Sequence, residues 1–113
     1  MGNYSSRLRT YTVTVAAGAS VSSYVDIQGT PVVGVICPVG VSNTSAYFES
    51  SQDRTTFTPA YNSFGDRLDF TLGSNMHTLF TPHDLVGMRF IRLQFKNTER
   101  DAQTITIIGR ADG

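Results

Sequence analysis

The segment Thr10-Tyr11-Thr12-Val13-Thr14-Val15 alternates polar and bulky side chains without a break. Successive residues of an extended chain point to opposite faces, so Tyr11, Val13 and Val15 share one face and the threonines the other. The two-residue rhythm returns along the chain. Nowhere do apolar residues fall at i, i+3, i+4 and i+7 over a helix-length stretch. This pattern restricts the chain to strands joined by turns.

The rest of the chain can be parsed on that basis. Ser23 to Ile27 is a second, weaker strand, with Tyr24 and Asp26 opposed to Val25 and Ile27, and Gln28-Gly29-Thr30-Pro31 turns the chain. Val32-Val33-Gly34-Val35-Ile36-Cys37 is apolar on both faces, which predicts a central, doubly covered strand closed by Pro38 and Gly40. Ser45 to Ser50 follows, and Phe57 to Asn62 reads as a short strand or an ordered loop. Asp66 to Leu72 alternates with Leu68, Phe70 and Leu72 inward, and His77 to Phe80 is a short edge strand. Met88 to Phe95 and Thr104 to Arg110 are strong strands. In Thr81-Pro82-His83-Asp84-Leu85-Val86-Gly87 the residue types suit one helical turn: Thr81 as cap, Pro82 at the first position, Gly87 at the end. The expectation is an all-β, antiparallel β-sandwich, jelly-roll-like, of about eight strands, with at most one helical turn near residues 82–86. Residues 1–7 form an N-terminal arm ahead of one β-sandwich domain, residues 8–113.

Composition excludes several function classes. A chain of 113 residues supports one core. Lys+Arg and Asp+Glu are both 9, so no basic face is expected to displace counterions from nucleic acid. No stretch reaches the length of a spanning helix, so no membrane partner is expected. The one cysteine excludes an intramolecular disulfide and a multi-cysteine zinc site. Two short motifs take their bland reading. Met1-Gly2-x-x-x-Ser6 fits a loose myristoylation pattern, and Asn43-Thr44-Ser45 is a formal glycosylation sequon. Without an apolar run of signal-peptide length, they read as a polar start and a turn.

No residues converge on a recognisable reaction. Cys37 lies in an apolar strand before Pro38, where a thiol is inert. His77 and His83, with Asp84, have loose spacing far from that of a metal-binding helix. Asp66 and Asp69, three apart on an extended strand, point to opposite faces and do not pair for glycoside hydrolysis. No phosphate-binding glycine loop or nucleophile elbow is present. The expectation is a non-enzyme with no catalytic residues, no metal and no cofactor.

The polar composition points instead to contact with other chains. Eight of the nine basic residues are Arg, the residue that forms forked and stacked contacts at interfaces. Five Tyr and seven Phe exceed what a thin sandwich core requires. Position and residue type single out Asn3, Tyr4, Arg7 and Arg9 in and beside the arm. Arg54, Tyr61 and Phe64 are the corresponding partner-contact candidates in the long loop.

Four segments carry a family resemblance. Val32-Val33-Gly34-Val35-Ile36-Cys37-Pro38 with Ala46-Tyr47-Phe48-Glu49-Ser50-Ser51-Gln52-Asp53 resembles small β-sandwich virion proteins of tailed bacteriophages, of the head decoration or cement type. Pro82-x-Asp84-Leu85-Val86-Gly87-Met88-Arg89-Phe90-Ile91-Arg92-Leu93 and the closing Gln103 to Arg110 add to it, so the likeness spans roughly residues 10–110. The chain departs from the pattern at Asp53-Arg54, where the family commonly has the Asp-Gly of a tight hairpin. Arg54 there suggests a longer, reshaped loop. The resemblance implies a capsid decoration protein on the phage head surface. It would bind the major capsid protein and associate with itself as a homotrimer or other symmetric homo-oligomer. The Gly87-to-Leu93 stretch is also similar to carbohydrate-binding jelly rolls, which implies an alternative: a glycan-binding or adaptor module of a phage tail or fibre, with Tyr61 or Phe64 as stacking ring in the absence of Trp.

Overall fold

The structure is a computed structural model and describes residues 8–80 and 85–110. Nine strands follow in order: β1 (Leu8–Val15), β2 (Val25–Asp26), β3 (Val32–Cys37), β4 (Thr44–Ser51), β5 (Thr58–Pro59), β6 (Phe70–Leu72), β7 (Met76–Leu79), β8 (Phe90–Phe95) and β9 (Gln103–Arg110). They build two antiparallel sheets, one ordered β1-β9-β3-β7, the other β2-β8-β4-β5 with β6 also on β4. Each early strand pairs with a late one in reverse order: β1 with β9, β2 with β8, β3 with β7, β4 with β5 and β6. The chain thus runs as one long hairpin bent over itself. Additional pairings of β3 with β9 and β4 with β8 complete the sheets. That wrapping is a jelly roll, and the fold is the expected antiparallel β-sandwich.

Alternation assigns the faces. In β1, Val13 and Val15 are buried while Thr12 and Thr14 are exposed, and in β9 Ile105 and Ile107 are buried. Across the interior they meet Ala46 and Phe48 of β4 and Ile91, Leu93 and Phe95 of β8. Phe48, Phe70 and Phe80 close one flank with ring centroids 4.8–5.9 Å apart, in the tilted and edge-on arrangements that suit aromatic quadrupoles.

Two expectations change, and a third lies mostly outside the described residues. β3 is central in its sheet but covered on one face only: Val35 and Cys37 are buried, while Ile36 is 38% exposed. No third layer lies over it among the described residues; its outer face meets the His77 imidazole, which rests where a side chain on Gly34 would stand, 2.8 Å from such a Cβ. The strand expected over Asp66 to Leu72 shortens to Phe70–Leu72 plus a single bridge from Arg67 to Tyr61. The helical turn near 82–86 falls largely on residues 81–84, outside the described residues; Leu85 onward is bent but not helical, and no helix occurs among the described residues.

Candidate functional site

The outer face of the five-stranded sheet carries the unusual chemistry. Register sets it row by row: Phe90 of β8 lies between Asp26 of β2 and Ser51 of β4, Arg92 opposes Glu49, and Gln94 opposes Tyr47. Phe90 is 3% exposed yet stands apart from the core cluster. Its cover is the pair of guanidiniums of Arg54 and Arg89, 5.0 and 4.9 Å from the ring centroid, with Tyr24 edge-on at 6.0 Å. One row on, Arg92 donates to Glu49 at 2.7 Å and stacks 4.2 Å over Phe57. A further row on, Arg67 lies 4.0 Å over Tyr47 and forks onto Asp69 through Nε and Nη2 at 2.6 and 3.0 Å. The Arg67 hydrogen bond holds the Asp69 carboxyl below its ordinary value, and Asp69 in turn pushes Arg67 up. Four arginines thereby lie over rings at 4.0–5.0 Å, the use for which Arg outperforms Lys.

Beside Tyr47 this layer opens into a groove of about 370 Å³ lined by Ser45, Tyr47, Arg67, Asp69, Gln94 and Lys96. Next to it a short hairpin projects, based on the Tyr61–Arg67 bridge. Asn62 is its clamp: its Oδ1 accepts from the backbone N–H groups of Phe64 and Asp66 at 2.9 and 3.0 Å, and its own N–H donates to the Asp66 carbonyl at 2.8 Å. This Asx geometry fixes the tip without any core contact. It leaves Phe64 88% and Tyr61 56% exposed.

Of the residues singled out from sequence, Asn3, Tyr4 and Arg7 lie outside the described residues. Arg9 is an exposed β1 residue opposite Gly109. Tyr61 and Phe64 share the hairpin, but Arg54 does not join them. It sits at the Phe90 end of the sheet, while the hairpin stands at the Tyr47–Gln94 end, four residues along β8. The loop from Gln52 to Phe57 keeps a tight turn at its start. Asp53 Oδ1 accepts from the Thr55 and Thr56 N–H groups at 2.9 and 2.8 Å, and Arg54 itself takes the left-handed conformation, φ +67°, that a glycine would adopt. Arg67, Asp69, Gln94 and Lys96 were missed. The one local cue was Arg67-x-Asp69, whose spacing of two on an extended segment puts both side chains on the same face.

The groups considered for catalysis stay apart. Cys37 is 2% exposed, and burial pushes its thiol up from 9.0 to about 11 against a lowering hydrogen bond with the Gly73 backbone. His77 lies on the outer face of the other sheet; His83 and Asp84 are outside the described residues. Among the described residues no three His, Cys, Asp or Glu side chains are placed to share a metal ion. No protein-family model matches the chain, and no curated protein matches it.

Proposed function

We propose that this chain is a non-enzymatic docking protein, a decoration protein that binds the outer surface of a phage head through its aromatic hairpin. The observation carrying the reading is Phe64. A phenylalanine 88% exposed and held at the tip of an Asn62-clamped turn adds nothing to the core. A rigid ring of this kind loses little freedom when a pocket on a partner covers it, which is how a few aromatic anchors dominate binding. Tyr61 beside it offers a second ring with a polar end.

Cementing follows by linkage. A protein that binds assembled shell and not loose subunits shifts the equilibrium toward shell. Many copies touching several subunits add avidity without strong single contacts. The sequence resemblance and the closed sandwich support the same reading, and the partner it names is the major capsid protein.

Co-sedimentation with purified heads lacking the protein tests this. Saturable decoration is expected, and Phe64→Ala should reduce it at least tenfold, about 1.4 kcal/mol, while the melting temperature stays unchanged. No binding to heads, or full occupancy by the variant, overturns the proposal. The arm is tested separately by deleting residues 2–7. A deletion through residue 9 would also remove the Leu8–Arg110 and Arg9–Gly109 pairs of β1 and β9.

A further inference from the structure

The groove beside Tyr47 has a chemistry distinct from that of the hairpin. At about 370 Å³ it falls in the lower range of small-ligand sites, and six of its lining residues, Ser45, Tyr47, Arg67, Asp69, Gln94 and Lys96, carry polar or charged groups beside Phe95. We propose that it is a binding site for a saccharide carrying a carboxylate, a uronic-acid unit, seated between the Arg67–Asp69 pair and Lys96.

Three features select this ligand class. First, the groove is preorganised. Tyr47 and Asp69 hold the Arg67 guanidinium from two directions, so its orientation is set before any ligand arrives. Second, donors and acceptors are mixed. Asp69 accepts, Ser45 does both, and the Gln94 amide nitrogen holds only long 3.4 Å contacts to Ser20 Oγ and the Phe95 carbonyl. Contacts of that length leave its hydrogen-bonding capacity largely for a guest. Sugar hydroxyls, each donor and acceptor at once, match such a set, whereas an apolar peptide or a lipid tail would leave these groups unpaired. Third, the charge is unbalanced. Arg67 and Lys96 oppose the single carboxylate of Asp69, and Lys96 has no ion-pair partner among the described residues. One anionic group on the ligand balances the excess. A polyphosphate would be repelled by Asp69, which a ligand hydroxyl can instead satisfy.

An ¹H–¹⁵N titration of the full chain with tetragalacturonate tests the site, with maltotetraose and sodium acetate as controls. Saturable shifts confined to residues 45–47, 67–69 and 94–96 are expected with tetragalacturonate, with weaker or no response to either control. Lys96→Ala should weaken binding about fivefold, the worth of one exposed charge contact, and Lys96→Arg should restore it. Absence of saturable shifts at these residues overturns the site. An equal response to maltotetraose overturns its acidic preference, and an equal response to acetate overturns saccharide recognition. The result is independent of head binding, because Phe64→Ala leaves all six groove side chains in place.

Discussion

Arg54 holds a left-handed backbone at φ +67° and still lays its guanidinium 5.0 Å from the centre of the Phe90 ring. The two facts oppose each other energetically. A non-glycine residue in that conformation costs about 1–2 kcal/mol, and an exposed cation–ring contact returns about 0.5–1 kcal/mol. The Asp53 clamp holds the turn in place in spite of the cost.

Two substitutions separate the terms. Arg54→Ala keeps the backbone cost and loses the stacking, so it should lower stability. Arg54→Gly loses the stacking but removes the backbone cost, less the 0.4–1 kcal/mol that glycine's freedom gives the unfolded chain. The expected order in chemical denaturation is Gly above Ala by about 1 kcal/mol. Equal stabilities would mean that the turn relaxes when the side chain is cut back.

Asp53 makes the same loop sensitive to acid. The Thr56 backbone N–H first, then the Thr55 N–H and the Ser51 hydroxyl, pull its carboxyl from 3.8 down to about 2. A folded-state value below the unfolded one adds stability above the unfolded value and loses it as pH falls through the folded one. Stability should therefore sag between about pH 4 and about pH 2, and Asp53→Asn should show a smaller sag. Parallel sags in the two proteins would place the acid sensitivity elsewhere.

The sandwich was legible where one face of a strand is buried and the other wet. β1, β8 and β9 write that contrast as alternation, so Val13, Leu93 and Ile107 could be assigned to the core from pattern alone. Register was not legible. Leu8 pairs with Arg110 and Val15 with Gln103, and no local turn sets a match between opposite ends of a chain. β2 and β5 have two residues each, too few to display any period. β3 misled because an unbroken apolar run is the usual mark of double coverage, whereas here Gly34 makes room for the His77 ring on an otherwise open face. Tyr61 and Phe64 were singled out by position and residue type, but the hairpin that carries them was not legible, because its single Tyr61–Arg67 bridge leaves no alternation to read. The groove escaped because Tyr47, Arg67 and Gln94 come from three distant segments brought together only by the pairing of β4 with β8 and the turn before β6.

Cys37 should behave as core, not as a reagent. With its thiol pushed up to about 11 by burial, it should resist a thiol-specific reagent near neutral pH until the protein unfolds. The raised value also has a sign for stability. Below the unfolded value of 9.0 both states hold the proton; above it the unfolded chain ionises first, so stability falls from about pH 9 to about pH 11. Denaturation curves of Cys37→Ala should lack that component of the alkaline loss. An identical alkaline slope, or rapid labelling of the native protein, contradicts the assignment.

Glu99 presents an opposite imbalance. It is 1% exposed, its Oε1 accepts from the Ser42 N–H at 3.1 Å, and its Oε2 has no partner among the described residues. Its backbone meanwhile joins two turns, accepting from Gly18 at 2.7 Å and donating to the Ala19 carbonyl at 3.0 Å. Glu99→Gln keeps the acceptor for Ser42 but places an amide NH2 where Oε2 has no partner among the described residues, so one buried polar group stays unpaired and the change in stability should be smaller than for removal of the side chain. Glu99→Ala strands the Ser42 N–H and leaves a cavity, so it should lower stability by about 2 kcal/mol. If both variants destabilise equally, the second oxygen has a partner that the alanine and glutamine forms lose alike.

Asn62 provides the test that separates a presented ring from a merely exposed one. Asn62→Ala removes the acceptor for the Phe64 and Asp66 N–H groups while leaving Phe64 in the chain. Both N–H groups are solvent-exposed and can turn to water, so the stability cost should stay near 1 kcal/mol. Docking through a preorganised ring should suffer more, because the freed turn must be reordered on binding at about 1–2 kcal/mol for each backbone residue fixed. Head binding by Asn62→Ala should therefore approach that of Phe64→Ala, with amide exchange at residues 63–66 accelerated. Undiminished binding by a loosened hairpin would show that exposure of the ring suffices and that the clamp serves the fold alone.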